Sequence, residues 1–506
     1  MNAKRLTVRR VMMTLVLLVS ASLGMAPLPA PRAAHAAHGS WTQTAWTTPS
    51  STLYAVGSGS NVFFSGGTAG VCAGSGPWCA DGGDTLRLPG NWTSDSGNPY
   101  SSDLNADGIS EVLLASWHNG STHAFDGGRI QWGRSGPSWS TADVTALYTL
   151  GANGVAVADL NGDGRPEVIF ANHYDNSSFI TDSFVYWGTS SGFARTALPT
   201  LGAIAVAVAD LNNDGRPEII FTNYRNGSTW DLNSYIYWGQ PGGIYRTQYG
   251  PSWRTELPTS GATGVAIADL NSDGLPEIIF SNYRSGATFE INSYIYWGRS
   301  GGIYETQYGA SWRTDLLTRG AQAVTVADLN ADGRPEVIFA NYHTNASSNG
   351  SVNYNIDSFV YWGQAGGVFG TQYGTSWRTF LPGTGPTSIS VADINNDGSR
   401  DIVMQNFETP STRIFWGPIP ASGTATNYMT LAGSGPKYRH ISISYLNGDG
   451  WPDKVIAETG KWTGGNITRI FMNTGSNPFY SGHTPLTGVG SVMMPYVSFG
   501  HGRGSS

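Results

Sequence analysis

Acidic and amide side chains alternate with other residues in a short segment that recurs along the chain. The copy that begins at Asp159 has oxygen-bearing side chains at positions 1, 3, 5 and 9, namely Asp159, Asn161, Asp163 and Glu167. Position 6 is Gly164, where a positive φ can bend the segment, and Arg165 at position 7 offers its carbonyl oxygen. Hard oxygen ligands at alternating positions around such a bend suit Ca²⁺. The spacing therefore predicts a calcium-binding loop.

The position of the last acid separates this loop from the helix-flanked EF-hand, which has its acid at position 12. Three carboxylates within one tight turn repel each other unless a cation or a proton neutralises them. The alternative is that Asp, Asn and Gly simply make a good turn. That alternative explains one copy but does not explain the acid at position 9 in all seven copies.

The loops must be positioned by the strands that flank them. Copies start near residues 103, 159, 210, 269, 328, 393 and 445. Each follows an alternating run such as VAVAD (155–159) and precedes a run such as EVIFAN (167–172). Segments such as SFVYWG (183–188) and WRTELPT (253–259) predict a third and a fourth strand. Four antiparallel strands per repeat predict an all-β protein, a β-propeller of four-stranded blades.

The number of blades follows from the spacing of the loops. The 470 residues after Ala36, divided by the mean spacing, give about eight units. We expect an eighth, composite blade closed by N- and C-terminal strands, with TLYAVGS (52–58) as a second strand and 484–499 leading into a first strand. Such closure would pair two edge strands. Seven blades, with the termini packed outside, is the alternative.

The loop and its flanks resemble the FG-GAP or VCBS repeat family, which includes the integrin α-chain propeller, some propeller lectins and some polysaccharide-degrading enzymes. The resemblance covers residues 103–453 and implies calcium bound between the first two strands of each blade. It implies ligands in six full loops: Asp103, Asn105, Asp107 and Glu111; Asp159, Asn161, Asp163 and Glu167; Asp210, Asn212, Asp214 and Glu218; Asp269, Asn271, Asp273 and Glu277; Asp328, Asn330, Asp332 and Glu336; Asp393, Asn395, Asp397 and Asp401.

The seventh loop retains Asn447, Asp449 and Asp453, but Tyr445 replaces its first acid. The position-7 carbonyls belong to Ile109, Arg165, Arg216, Leu275, Arg334, Ser399 and Trp451. Six to seven structural Ca²⁺ ions are therefore expected.

The first residues predict export. Basic residues precede an apolar stretch from Val11 to Ala26, and small residues at 34–36 suit cleavage after Ala36, so residues 1–36 are interpreted as a signal peptide and 37–506 as one propeller domain. Outside the cytoplasm, Cys72 and Cys79 are expected to form a local disulfide. With 28 Lys and Arg against 35 Asp and Glu, the chain lacks the basic character of a nucleic-acid binder. We also expect no membrane span in the mature chain.

A second candidate site follows the second strand of three blades. It consists of Asn-Tyr-Arg or Asn-Tyr-His segments: Asn223, Tyr224 and Arg225; Asn282, Tyr283 and Arg284; Asn341, Tyr342 and His343. Strand alternation places these loops on the face opposite the calcium loops. Amide, aromatic and cationic groups side by side suit sugar hydroxyls and ring faces. The alternative is that Asn and Arg brace the loop while Tyr packs on the next blade.

These observations favour a secreted, calcium-stabilised binding or adhesion module whose partner is an extracellular glycan or a surface protein. A polysaccharide-processing enzyme, a lyase or a hydrolase, on the same fold is one alternative. It would need an acid, a base and a cation converging on one face, and only scattered candidates such as Arg225, Arg284 and His343 are present. A structural surface protein is the other alternative.

Overall fold

The computed structural model of the chain describes its strands and most of their connections. The described residues are 52–53, 104, 112–115, 122–132, 144–189, 192–241, 248–299, 307–345, 352–365, 371–409, 411–432, 438–444, 453–458, 467–471 and 484–487. All the described strands belong to one of the chain's two compact units, residues 38–506. The signal-peptide and disulfide predictions lie outside the described residues.

The described strands form seven sheets, numbered here in chain order. Sheet 1 contains β1 (Thr52–Leu53), β2 (Val112–Ala115), β3 (Ala124–Gln131) and β4 (Val144–Leu150). Sheet 2 contains β5 (Ala152–Ala158), β6 (Glu167–Asn172), β7 (Ile180–Thr189) and β8 (Gly192–Leu201). Sheet 3 contains β9 (Ala203–Ala209), β10 (Glu218–Asn223), β11 (Asp231–Tyr237) and β12 (Arg254–Ser260). Sheet 4 contains β13 (Ala262–Ala268), β14 (Glu277–Asn282), β15 (Glu290–Tyr296) and β16 (Arg313–Arg319).

The remaining sheets follow the same antiparallel order with one addition. Sheet 5 contains β17 (Ala321–Ala327), β18 (Glu336–Asn341), β19 (Asp357–Tyr361) and β20 (Arg378–Pro382). Sheet 6 contains β21 (Pro386–Ala392), β22 (Asp401–Asn406), β23 (Ser411–Phe415) and β25 (Tyr428–Ala432). The connection between β23 and β25 of sheet 6 contains β24 (Gly423–Thr424), which pairs in parallel with β20 as a fifth strand of sheet 5. Sheet 7 contains β26 (Tyr438–Ser444), β27 (Asp453–Glu458), β28 (Ile467–Phe471) and β29 (Thr484–Thr487).

Burial explains the composition of the strands. In sheets 2–6 all six residues of every second strand are buried, as expected for strands covered on both faces. The fourth strand β12 alternates between buried and exposed residues, so it has one exposed face. Four apolar clusters of the described residues each join two consecutive sheets; one contains Ile220 of sheet 3 and Phe280 of sheet 4. The core therefore lies between the sheets.

One of the two terminal strands lies elsewhere than the sequence predicts. Thr52–Leu53 is the first strand of sheet 1, where Thr52 pairs with Ala115, and not a second strand of an eighth blade. Contrary to the expectation that every loop follows an alternating run, the Gly- and Ser-rich residues before Asp103 lack the apolar run that forms first strands elsewhere, so a distant segment takes that place. Thr484–Thr487 is the fourth strand of sheet 7, consistent with its PLT sequence, which resembles the LPT of β8 and β12.

Candidate functional site

Five of the predicted calcium loops are described, and each connects the first and second strands of its sheet, in sheets 2–6. The glycine at position 6 has positive φ in all five, from +80° to +90°, as the sequence predicts. A second residue, at position 4, is also left-handed: Gly162, Asn213, Ser272, Ala331 or Asn396. The loops that begin at Asp103 and Tyr445 lie outside the described residues, apart from Leu104 and Asp453.

The acid at position 1 holds the loop together from within. Asp159 accepts hydrogen bonds from the backbone N–H of Gly162 at 2.8 Å, of Asp163 at 3.2 Å and of Gly164 at 2.8 Å. Asn161 Oδ1 also accepts from the N–H of Asp163, at 2.8 Å. The loops that begin at Asp210, Asp269, Asp328 and Asp393 repeat the bonds from positions 5 and 6 to the first acid. The side-chain oxygens are therefore gathered on the inner side of a tight turn.

The acid at position 9 is fully buried at the start of the second strand. Glu167 and Glu336 are 0% exposed, and each accepts the N–H of the position-2 leucine at 2.7 Å. Burial, with smaller contributions from the two aspartates of the loop, raises the pKa of Glu167 to about 9 and that of Glu336 to about 8. The same causes raise the pKa of Asp401 to about 7. Burial therefore favours the neutral form of this carboxyl group unless a positive charge lies beside it.

The loops fit a calcium ion in donor chemistry, and one of the five described loops also has a position-9 carboxylate oxygen with unmet hydrogen bonding. Glu336 Oε1 is buried without a hydrogen-bond partner, and such an orphaned acceptor is costly unless a cation or water satisfies it. In the described part of the chain, no three acidic, histidine or cysteine groups form a metal-binding cluster. The position-1 carboxylate is turned towards the backbone amides of its own loop. A Ca²⁺ site in the loop would therefore combine acidic side chains with the oxygen of the Asn side chain and with a backbone carbonyl group.

The asparagines of the opposite face are internal braces. Asn223, Asn282 and Asn341 are each 0% exposed. The Asn223 side chain accepts from Leu201 N–H at 2.9 Å and donates to the Asn233 carbonyl at 2.7 Å. Equivalent bonds fix the other two. Direct ligand contact by these asparagines does not fit this geometry, because both ends of each amide are used between strands.

The tyrosines of the same segments form a row across sheets 3, 4 and 5. Ring centroids are 6.1 Å apart for Tyr224 and Tyr283 and 6.5 Å apart for Tyr283 and Tyr342. All three rings are partly exposed. The Tyr283 hydroxyl lies 3.0 Å from His343 Nε2, and burial lowers the pKa of this histidine, which is 4% exposed.

The arginines of these segments stack between aromatic rings of neighbouring sheets. The Arg225 guanidinium lies 4.3 Å from the Phe179 ring centre and 5.1 Å from that of Trp230. Arg284 lies 3.9 Å from Trp230 and 4.7 Å from the ring of Phe289. Cation–π contacts of this kind stabilise packing between the sheets. The predicted arginines are thus stacked on aromatic rings that the sequence analysis did not single out, and their guanidinium faces are covered.

The sequence analysis missed a recurrent Gln-Tyr pair at 248–249, 307–308 and 372–373 that contacts the calcium loops. Its threefold recurrence in the motif TQYG was the available signal.

Comparison with known proteins identifies the repeat. The model of the FG-GAP-like repeat matches residues 103–170, 159–221 and 210–280, which confirms the predicted resemblance: this part of the chain consists of FG-GAP-like repeats. Cartilage acidic protein 1 of Xenopus tropicalis is 25% identical over 293 residues, covering 54% of this chain and 42% of that protein. The chain thus matches less than half the length of that relative. Among the described residues, no helix is long and apolar enough to cross a membrane.

Proposed function

We propose that the protein is a secreted, calcium-stabilised β-propeller that acts as an extracellular binding or adhesion module with carbohydrate as its ligand. The row of partly exposed tyrosines across three sheets carries the ligand proposal. Such rings offer apolar faces on which sugar rings can stack. The similarity to a protein named for cartilage supports an extracellular location.

Calcium is proposed for the loops because a buried acid beside two aspartates recurs in five described sheets. A bound Ca²⁺ would supply positive charge that replaces the proton on this acid. The position-1, -3 and -5 side chains, the position-7 carbonyl and the position-9 acid would hold it. Equilibrium dialysis of the mature protein tests this, and we expect six to seven ions per chain.

Closure of the sheets into a seven-bladed ring is proposed from the position of β1. Thr52–Leu53 lies against β27 of the last sheet, just as β9 lies against β6 and β13 against β10. The first strand of sheet 1 would thus continue the same sheet-to-sheet packing around the ring. Single-particle electron microscopy that counts the blades tests this arrangement; any count other than seven contradicts it.

The glycan proposal is tested on an array with and without chelator. Tyr224→Ala and Tyr283→Ala should abolish binding while both variants stay folded, with a modest fall in melting temperature because both rings also pack on neighbouring side chains. The matched control is Trp377→Ala, which removes an aromatic ring that is 42% exposed outside the tyrosine row. Binding that survives both tyrosine substitutions would refute this site, and unsaturated sugar products would indicate a lyase.

A structural surface protein is the second candidate, favoured by the burial of Asn223, Asn282 and Asn341 and by the stacked arginines. If the tyrosine variants bind no less glycan than the wild type but melt at much lower temperature, the tyrosines pack and this candidate is preferred.

A further inference from the structure

A Gln-Tyr dipeptide recurs between the third and fourth strands of sheets 3, 4 and 5, at 248–249, 307–308 and 372–373. These six residues are only 1% to 3% exposed. Buried amide and phenol groups need hydrogen-bond partners. In all three copies, the partners are backbone carbonyls of the calcium loops.

The tyrosine of each dipeptide contacts the loop of its own sheet. The hydroxyls of Tyr249, Tyr308 and Tyr373 donate to the carbonyls of Pro217, Pro276 and Pro335, each at 2.5 Å. Each proline occupies position 8 of its loop and directly precedes the buried acid at position 9. The tyrosine therefore fixes the backbone beside that acid.

The glutamine of each dipeptide contacts the loop of the preceding sheet. The side-chain Nε2 atoms of Gln248, Gln307 and Gln372 donate to the carbonyls of Leu160, Leu211 and Leu270. These leucines occupy position 2. Their own N–H groups donate to the position-9 acids Glu167, Glu218 and Glu277, at 2.6 to 2.7 Å.

One dipeptide thus joins two loops, and three dipeptides join the loops at 159, 210, 269 and 328 in series. The next loop, at 393, differs. The connection of sheet 6 between β23 and β25 contains no Gln-Tyr pair, so no such link joins the loops at 328 and 393. The chain therefore contains both linked and unlinked loops.

The side-chain oxygen of each glutamine is a second feature of the link between loops. Oε1 of Gln248, Gln307 and Gln372 is buried and has no hydrogen-bond partner among the described residues. Leaving a buried acceptor unpaired is costly, and here the cost recurs in three consecutive sheets. A cation or a water molecule bound beside the loop would satisfy it.

We propose that Gln248, Gln307 and Gln372 are positioning residues that couple calcium binding at neighbouring loops. The inference rests on the proposed calcium sites. An ion that draws in the position-9 acid moves position 2 through its N–H bond and position 8 through the chain. The glutamine of the dipeptide bonds to position 2 of one loop, and the tyrosine bonds to position 8 of the following loop. Ordering of one loop therefore favours the calcium-binding form of the loop linked to it.

The test compares the loss of a linked loop with the loss of an unlinked loop, using calcium titration calorimetry on the mature protein. Asp214→Asn should remove the calcium site of the loop at 210. It should also weaken calcium binding at the two linked loops, at 159 and 269, about fivefold or more, which is the low end of typical coupling. Asp397→Asn should remove one site and leave the other affinities unchanged. Equal effects of the two substitutions would overturn the inference.

The glutamines themselves are tested by Gln248→Met combined with Gln307→Met, which keeps the side-chain length but removes the amide. In this background Asp214→Asn should remove its own site without weakening the others. Gln240→Met is the matched control, because the side-chain amide of Gln240 donates to the Trp238 carbonyl of its own sheet, at 3.3 Å, and its backbone bond to Gln248 is unaffected by the substitution. If the neighbouring sites still weaken in the double variant, the glutamines do not couple the loops.

Circular dichroism of each variant establishes that it folds, and Tyr308→Phe provides a second, milder disruption of the same link. A wild-type protein that binds no calcium would refute the proposed function. Calcium binding with independent sites would overturn the coupling alone.

Discussion

The indole Nε1 of Trp238 donates a hydrogen bond to the hydroxyl of Thr255 at 2.9 Å, between the third and fourth strands of sheet 3. Trp187 with Thr196, Trp297 with Thr314, and Trp362 with Thr379 repeat this bond in other sheets. The tryptophans of the YWG segments are thus buried packing residues.

Replacing the Thr255 hydroxyl that accepts this hydrogen bond should destabilise the folded protein. Thr255→Val leaves the Trp238 N–H buried without that acceptor, and we expect the free energy of unfolding to fall by about 1 to 3 kcal/mol. Thr255→Ser keeps the hydroxyl and should lose much less. Urea denaturation followed by tryptophan fluorescence measures both, and equal losses would show that the methyl group matters more than the hydrogen bond.

The turn between sheets 2 and 3 requires glycine. Gly202 has φ of +54°, and an added Cβ would lie 2.5 Å from the Arg225 carbonyl oxygen. Gly202→Ala should therefore cost more than the roughly 1 to 2 kcal/mol of left-handed strain alone. Gly162→Ala is the control, since φ is +72° and nothing lies within 4 Å of its Cβ. Thermal melts that rank the two variants equally would contradict the steric argument.

Buried His173 predicts acid sensitivity. Burial lowers its pKa from 6.5 to about 4; the hydrogen bond with the Gly202 carbonyl opposes this shift, and the nearby Arg225 and His123 add to it. Between these pH values the unfolded chain binds the proton and the folded chain does not, so stability falls as pH drops from 6.5 to 4. The shift corresponds to about 3 kcal/mol.

The measurement is the urea midpoint of wild type and His173→Phe at several pH values across this interval. The variant should show a shallower pH dependence, whatever its stability at neutral pH. Parallel curves for the two proteins would mean that other groups cause the acid sensitivity.

Removal of calcium should destabilise the protein through many small contributions. If each loop has a dissociation constant of about 0.1 to 1 mM, roughly 1 mM calcium stabilises it by about 0.4 to 1.4 kcal/mol. Asp273→Asn should lose about that amount in calcium and much less in EDTA. Melting curves in the two buffers measure it, and full heat resistance in excess EDTA would refute a structural role for calcium.

Local patterns predict the repeated part of the fold well. Runs such as EVIFAN at 167–172 and WRTELPT at 253–259 form β6 and β12, because side-chain alternation and burial are encoded locally. The position of Thr52–Leu53 is not local, since its partner strand lies some sixty residues later and two residues carry no periodicity.

In the candidate site, too, local features can be predicted from the sequence and contacts between sheets cannot. The composition of each acidic loop predicts its turn and its position-6 glycine. The recurrence of TQYG signals the Gln-Tyr pair, but the link from Gln307 to Leu211 joins residues of different sheets, so the partner of the glutamine is set by the packing of the sheets. The burial of Asn223 likewise depends on a neighbouring strand that its own segment does not specify.

Because of strand β24, the outer strand of sheet 5 is paired on both sides, unlike the described outer strands of sheets 3 and 4. The outer strand of sheet 5, β20, has a parallel partner at Thr379 and Phe380, whereas the described parts of β12 and β16 pair on their inner side alone. An incoming extended peptide, or a second molecule aligning side by side, could add to sheets 3 and 4 but would find the backbone groups of β20 already engaged there. Lateral association of the protein, where it occurs, is thereby directed away from sheet 5.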